Sequence, residues 1–135
     1  MIHFTAPDAS LSLTSRTEPG GRVIATLRGD LCIASAPALR EHLLSLLRPP
    51  VSQLIIDLSA VERADASGLA VLVASGRRAG LLGGSLRLAA PSPEVARVLA
   101  ATGMDRHLDV FATLQAAMAG LRVVPDNEGM ADARR

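Results

Sequence analysis

The fold of this chain is decided by a short apolar run, Leu54-Ile55-Ile56-Asp57-Leu58, and by the segment shortly after it, Asp65-Ala66-Ser67-Gly68-Leu69. The first segment is rich in β-branched residues, which is typical of a strand buried on both faces. After the second segment begins, apolar residues recur at helical spacing, at Leu69, Leu72 and Val73. The two segments therefore predict a strand, a loop and a helix, with Ser67 near the helix N-terminus.

Outward from this unit, strand and helix signals alternate along the chain. Alternating apolar and polar residues predict strands at 11–14, 23–27, 86–88 and 108–110. Capping residues and helical spacing predict one helix from Ser35 to just before Pro49 and another from Ser92 to Gly103. A last helix is predicted from 113 to about 122.

The predicted element order is β-β-α-β-α-β-α-β-α. Strands separated by helices favour a mostly parallel sheet, and the opening hairpin adds an antiparallel pair. We expect a single α/β domain at 11–122, with a mixed four- to five-stranded sheet and about four helices. Residues 1–10 are expected to form an N-terminal extension and 123–135 a polar, disordered tail. The predicted loops at 29–32 and 65–68 both follow strands, which allows them to share one edge of the sheet.

The composition argues against several classes of function. With two Phe and neither Trp nor Tyr, the chain has few rings to stack on bases, and a formal net charge of +1 attracts polyanions weakly. The single cysteine, Cys32, excludes an internal disulfide and fits a reducing compartment. The three histidines, His3, His42 and His107, lack the spacing of metal ligands. We therefore expect no metal, no cofactor and no direct nucleic-acid partner.

The N-terminus lacks the pattern of a secretory signal, because Pro7 and Asp8 interrupt the region where an apolar core is needed. No apolar run approaches the roughly 20 residues that span a bilayer. We expect a cytoplasmic protein without a membrane span.

In its element order and in three motifs the chain resembles a STAS domain, and within that superfamily the bacterial anti-sigma factor antagonists. The motifs are Gly29-Asp30-Leu31 after the second strand, Ile55-Ile56-Asp57-Leu58, and Asp65-Ala66-Ser67-Gly68-Leu69. The similarity runs from about Leu11 to about Arg122. The resemblance implies a STAS-like fold and a regulatory, non-enzymatic function.

The resemblance also implies a partner-switching mechanism. Unphosphorylated members bind an anti-sigma factor that is also a serine kinase, and thereby free the sigma factor. Phosphorylation of a serine by that kinase ends the association, and a serine phosphatase restores it. The phosphorylated serine corresponds to Ser67 and the acidic residue before it to Asp65. The expected partner-binding residues are Asp30, Cys32, Asp65, Ala66, Ser67, Gly68 and Leu69.

Two positions depart from the pattern of that family. Ala66 stands where a second serine is frequent, which leaves Ser67 as the sole phosphoacceptor of the loop. Cys32 stands where the first loop often carries an acidic residue. A phosphate on Ser67 suits the free N–H groups and the dipole of a helix N-terminus. Gly68 is interpreted as a position that lets a partner's backbone approach closely.

Three other interpretations remain open. Structurally, Asp65 can be an ordinary N-cap and Ser67 a polar residue of the first helical turn. Functionally, the chain can be a STAS scaffold in a sensory or lipid-transport complex without a phosphorylation cycle. A small serine hydrolase using Ser67 is a less favoured third, because Asp-Ala-Ser-Gly is not the Gly-x-Ser-x-Gly motif of a nucleophile elbow.

Overall fold

The computed structural model describes residues 2–5, 11–48 and 51–120. Within them the chain forms a six-stranded sheet, four α-helices and one 3-10 turn. In chain order the elements are β1 (Ile2–Thr5), β2 (Leu11–Glu18), β3 (Arg22–Leu31), α1 (Ala36–Leu46), β4 (Gln53–Ala64), α2 (Ala66–Leu81), β5 (Ser85–Ala89), α3 (Pro93–Thr102), the 3-10 turn (Met104–Arg106), β6 (Asp109–Phe111) and α4 (Leu114–Ala119).

The element order from β2 to α4 confirms the predicted α/β class. The sheet order is β1-β2-β3-β4-β5-β6; β1, β2 and β3 pair antiparallel, and the pairs from β3 to β6 are parallel. β1 is one strand more than the predicted sheet contains and lies in the segment expected to be an extension. Its four residues, Ile2–Thr5, are too few for an alternation to stand out in the sequence.

The core lies on both faces of the sheet. Along β4, Leu54 and Ile56 belong to the larger apolar cluster, whereas Ile55 between them belongs to a second cluster with Phe111 and Ala117. Since successive strand residues point to opposite faces, the two clusters lie on opposite sides of the sheet. This confirms the prediction that the strand is buried on both faces.

The predicted apolar stripes of the helices pack into the larger cluster. Leu39, Leu43, Leu46, Leu47, Leu69, Leu72, Val95 and Leu99 are buried there. The helices α1, α2 and α3 therefore cover one face of the sheet, and α4 covers part of the other.

Two strands extend further than the sequence pattern indicates. β3 runs to Leu31 and β4 to Ala64, and the two remain paired to their ends. Their pairing includes two register shifts, one of them next to Gly29, whose φ is 108°. These irregularities, together with exposed polar residues late in β4, obscure the strand signal in the sequence. Most residues of the predicted loops at 29–32 and 65–68 therefore belong to the end of β3 and to the start of α2.

The predicted caps of α3 are confirmed, whereas the predicted cap of α1 and the predicted end of α4 differ from the structure. Ser92 accepts a hydrogen bond from the Val95 N–H at 3.3 Å, and Gly103 adopts a left-handed φ of 76° after α3. Ser35 occupies the N-cap position of α1 but makes no capping hydrogen bond. α4 ends at Ala119 because Gly120 is left-handed (φ 74°). The rest of the predicted last helix and the predicted tail lie outside the described residues.

Candidate functional site

The ends of β3 and β4 bring two distant parts of the sequence together. Leu31 pairs with Ala64 in parallel register, so the chain leaves both strands at the same edge of the sheet. The turn before α1 and the first turn of α2 follow directly. We call the region formed by residues 30–35 and 65–68 the switch edge.

Asp65 connects the two halves of the switch edge. One carboxylate oxygen, Oδ1, accepts a hydrogen bond from the Gly68 N–H at 2.9 Å, which caps α2. The other oxygen, Oδ2, accepts one from the Ile33 N–H at 3.1 Å. The backbone N–H of Asp65 also donates to the carbonyl of Leu31 at 3.0 Å. The interpretation of Asp65 as an N-cap is confirmed, and the side chain also fixes the turn before α1.

Gly68 allows α2 to pack directly against the end of β3. A Cβ atom at this position would lie 2.4 Å from the carbonyl oxygen of Leu31 and 2.9 Å from the backbone nitrogen of Cys32. No side chain fits at those distances. The expectation that Gly68 leaves room for a partner's backbone is therefore wrong, since the chain's own backbone occupies that space.

Ser67 lies on the exposed side of the same helical turn. Both Ser67 and Ala66 are exposed, and the Ser67 hydroxyl forms no hydrogen bond with any residue that the structure describes. Ser67 is the second residue of α2, so it lies at the positive dipole end of the helix, where the Gly68 N–H is already bonded to Asp65. In contrast, Leu69 is 0% exposed and lies in the core, beneath the switch edge.

The turn between β3 and α1 is held by a buried hydroxyl. Ser35 Oγ accepts a hydrogen bond from the Cys32 N–H at 3.0 Å and lies 3.2 Å from the Asp30 carbonyl and 3.0 Å from that of Cys32, to which it can donate. Asp30 and Cys32 are half-buried around this turn. Ser35 thus organises the turn rather than capping α1.

Sequence reasoning missed Ile33, which is 69% exposed at the tip of this turn. Isoleucine is one of the residues most often found in cores, so its type alone does not indicate a surface position. The sequence does indicate a surface position for Ile33 in another way, because the residue lies between a strand end and a helix start, in a turn beside Asp30 and Cys32.

The hydrogen bonds of Ser67 bear on the hydrolase interpretation. A serine nucleophile is activated by hydrogen bonding to a base, and the Ser67 hydroxyl has no such bond within 11–48 and 51–120. In the same ranges no group of three or more His, Cys, Asp or Glu is placed to hold a metal ion. None of the described helices is both long and apolar enough to span a membrane.

Residues 14–117 match the family model of the STAS domain. The chain belongs to the STAS domain family. The matched residues of this STAS domain include the whole switch edge. The anti-sigma-F factor antagonist RsfB of Mycobacterium tuberculosis is 30% identical over 121 residues, which cover 88% of this chain and 95% of RsfB.

Solved structures agree with this assignment. An anti-sigma factor antagonist from Mycobacterium paratuberculosis has a TM-score of 0.74 and 28% identity, covering 89% of this chain and 100% of the other. The antagonist SpoIIAA in its unphosphorylated form has a TM-score of 0.67 at 21% identity, covering 84% of this chain and 99% of SpoIIAA. The likeness to SpoIIAA is one of fold.

Proposed function

We propose that this STAS domain is an anti-sigma factor antagonist whose binding to a kinase-type anti-sigma factor is ended by phosphorylation of Ser67. The observation that carries the proposal is an exposed, unbonded serine hydroxyl on a helix N-terminus that Asp65 and Gly68 hold in place. RsfB, at 30% identity over most of both chains, supports the antagonist role.

The accessibility of Ser67 suits both halves of the mechanism. A kinase must place the acceptor hydroxyl at the end of its nucleotide's phosphate chain, and an exposed residue without internal bonds can enter such a site. Ala66 leaves Ser67 as the one hydroxyl in the first turn of α2. The modification is therefore directed to a single atom of the switch edge.

The phosphate acts on binding more than on folding. It adds about −1.5 to −2 charges. At an exposed helix N-terminus each charge gains about 0.3–1 kcal/mol, and the neighbouring Asp65 carboxylate opposes this gain. In a complex, the phosphate dianion on Ser67 loses its hydration because the partner's surface is shaped for the smaller, neutral hydroxyl group. A penalty of about 3 kcal/mol there weakens binding roughly a hundredfold.

The proposed partner surface combines exposed side chains with a rigid support. Ser67, Ala66 and Ile33 supply exposed contacts, while Asp30 and Cys32 border them at the turn before α1. Asp65, Gly68 and Leu69 support this surface from within. The domain acts in the cytoplasm as a non-enzymatic regulator, and a serine phosphatase reverses the modification. SpoIIAA of Bacillus has been solved in a phosphorylated form, so a protein with this fold can carry a phosphate.

The test compares wild type, Ser67→Ala and Ser67→Asp in binding to purified kinase-type anti-sigma factors from the same genome, with ATP or ADP. Mass spectrometry locates any phosphate, and circular dichroism checks folding. Ser59→Asp is the matched control, because it adds the same charge at another exposed serine. We expect wild type, Ser67→Ala and Ser59→Asp to bind the anti-sigma factor. We expect Ser67→Asp and phosphorylated wild type to lose this binding.

Equal binding by every variant, with no phosphate on Ser67, would overturn the phosphorylation switch and favour the STAS scaffold. No binding to any of these kinases would overturn the antagonist role. Labelling of Ser67 by a serine-reactive phosphonate would favour the hydrolase instead.

A further inference from the structure

A second surface lies between α1 and α2, away from the switch edge. The C-terminal parts of these helices border an open groove of about 420 Å³, lined by Leu44 and Leu82 among others. A smaller hollow of about 180 Å³ adjoins it and shares Leu44 and Arg78. We call these two hollows together the α1–α2 groove.

The α1–α2 groove extends along both helices away from Ser67. Both helices begin at the switch edge and run away from it, and Leu82 follows the end of α2. At about 1.5 Å per residue, Ala74, the groove residue of α2 nearest in sequence to Ser67, lies roughly 10 Å along the helix axis from Ser67, and Leu82 lies roughly 22 Å from it. A partner seated in the groove therefore contacts a different part of the molecule.

The apolar lining of the groove is exposed. Leu44 is 39% exposed and Leu82 is 44% exposed, and the adjacent Leu81 is 85% exposed. Scattered exposed apolar residues are ordinary, whereas here the exposed leucines adjoin one another and are bordered by charged residues, an arrangement that favours an interaction site. Burying Leu44 and Leu82 against another apolar surface is favourable because both side chains now meet water.

The rim of the groove is positively charged. Arg48 and Arg78 line the larger hollow and Arg40 the smaller one, whereas Glu41 is the single acidic residue lining either. None of these three arginines forms an ion pair within the described parts of the chain. By contrast, Arg16, Arg22 and Arg97 each lie within ion-pair distance of a glutamate.

We propose that the α1–α2 groove binds an acidic amphipathic helix of a partner protein. A groove between two helices accepts the apolar face of a third, with side chains at i, i+3 and i+4 as anchors. In this complex apolar anchors cover Leu44 and Leu82, and carboxylates beside them meet Arg40, Arg48 and Arg78. The charge complementarity sets the chemistry of the partner.

The same charges argue against other occupants. In a symmetric dimer through this face, the positively charged patch of one copy faces the same patch of the other, because an isologous interface apposes the same surface. Nucleic acid leaves the leucines uncovered, since its outer surface is a phosphate backbone. The proposal adds a second docking surface to the domain and does not depend on the phosphorylation of Ser67.

The test uses a fluorescein-labelled helical peptide of Leu, Ala and Glu with its leucines on one face, and a counterpart with Lys in place of every Glu. Fluorescence anisotropy with the full chain measures both affinities. We expect the Glu peptide to bind more tightly than the Lys peptide, and more weakly as salt rises. Arg48→Glu/Arg78→Glu is expected to weaken binding roughly tenfold, and Leu82→Ser to weaken it as well.

The matched control is Arg28→Glu/Arg106→Glu, which changes the net charge equally at two other exposed arginines. This control and Ser67→Asp are expected to retain binding. Equal losses in the control, or equal affinity for the two peptides, would overturn the proposal. Binding to phosphatidylglycerol vesicles through Arg48 and Arg78 without binding of the Glu peptide would overturn it in favour of a membrane surface. Self-association that Arg48→Glu/Arg78→Glu abolishes would overturn it in favour of a second copy.

Discussion

The carboxylate of Asp65 accepts a hydrogen bond from the backbone N–H of Ile33 at 3.1 Å, across 32 positions of sequence. Its other oxygen caps α2 through the Gly68 N–H. One side chain therefore determines where the exposed Ile33 lies relative to the exposed Ser67. A capping role and a place in a partner surface are compatible in this residue, because the cap is what positions the surface.

Asp65→Ala is expected to lower the free energy of unfolding by about 1–2 kcal/mol, since it removes a helix cap and the bond to Ile33. Asp65→Asn retains one accepting oxygen and should lie between Ala and wild type. Urea denaturation measures the stability, and hydrogen exchange of the Ile33 amide measures the order of the turn. Ser92→Ala, which removes the cap of α3, should lower stability without affecting that amide. Unchanged exchange at Ile33 in Asp65→Ala would contradict the connecting role.

Gly68→Ala is expected to destabilise the domain by about 1–3 kcal/mol, because the new Cβ lies 2.4 Å from a backbone oxygen that cannot rotate away. Gly80→Ala in the same helix is the matched control. No atom lies within 4 Å of a Cβ built at Gly80, so this change should stabilise by about 0.5–1 kcal/mol. Thermal and urea unfolding of both variants check the pair. Equal effects of the two changes would refute the packing argument.

The sequence pattern predicted the elements from β2 to α4 because each carries its own periodicity or cap. Leu39 and Leu43 in α1, and Val95 and Leu99 in α3, repeat at helical spacing and are buried as expected. β1 escaped prediction because its stability depends on pairing with β2, a tertiary contact that four residues do not encode locally.

The switch edge was predicted in position but not in detail. The predicted element order indicated that the segments near Asp30 and Ser67 both follow strands and could share one edge of the sheet, and the structure places the two segments together on neighbouring strands. The contact of Gly68 with Leu31 could not be predicted from the sequence, because it depends on where α2 packs against β3. The exposure of Ile33 likewise depends on the turn that Ser35 holds.

Ile33→Asp is expected to weaken binding of the anti-sigma factor at least roughly tenfold while leaving stability nearly unchanged. The side chain is 69% exposed, and its backbone N–H, which bonds to Asp65, is retained. Ala101→Asp is the control, since Ala101 is an exposed apolar residue of α3 that belongs to neither proposed docking surface. Calorimetric titration with the partner checks the difference. Equal affinities of the two variants would remove Ile33 from the proposed surface.

The stability of the domain is expected to fall in mildly acidic solution because of His42. Burial lowers the pKa of His42 below its ordinary value of 6.5. The unfolded chain therefore takes up a proton at a higher pH than the folded one. This contribution is fully present above about pH 6.5 and is lost as the pH falls through the lower folded pKa.

Urea denaturation between pH 7.5 and pH 5 tests this expectation for His42. His42→Gln should flatten the dependence in that window, whereas His107→Gln, which leaves His42 in place, should keep it. A wild-type stability that rises toward pH 5, or a slope that survives in His42→Gln, would contradict the assignment.

Phosphoserine installed at position 67 is expected to change the free energy of unfolding by less than about 0.5 kcal/mol while weakening partner binding roughly a hundredfold. Ser67 is exposed and the helix N-terminus favours its charge, whereas Asp65 opposes it, so the folded state gains and loses little. Parallel unfolding and calorimetric titration of the same phosphorylated sample separate the two effects. A loss of stability as large as that of Asp65→Ala, with faster exchange at the Ile33 amide, would mean that the phosphate breaks the Asp65 cap. Phosphorylation would then weaken binding by destabilising the switch edge and not by repelling the partner.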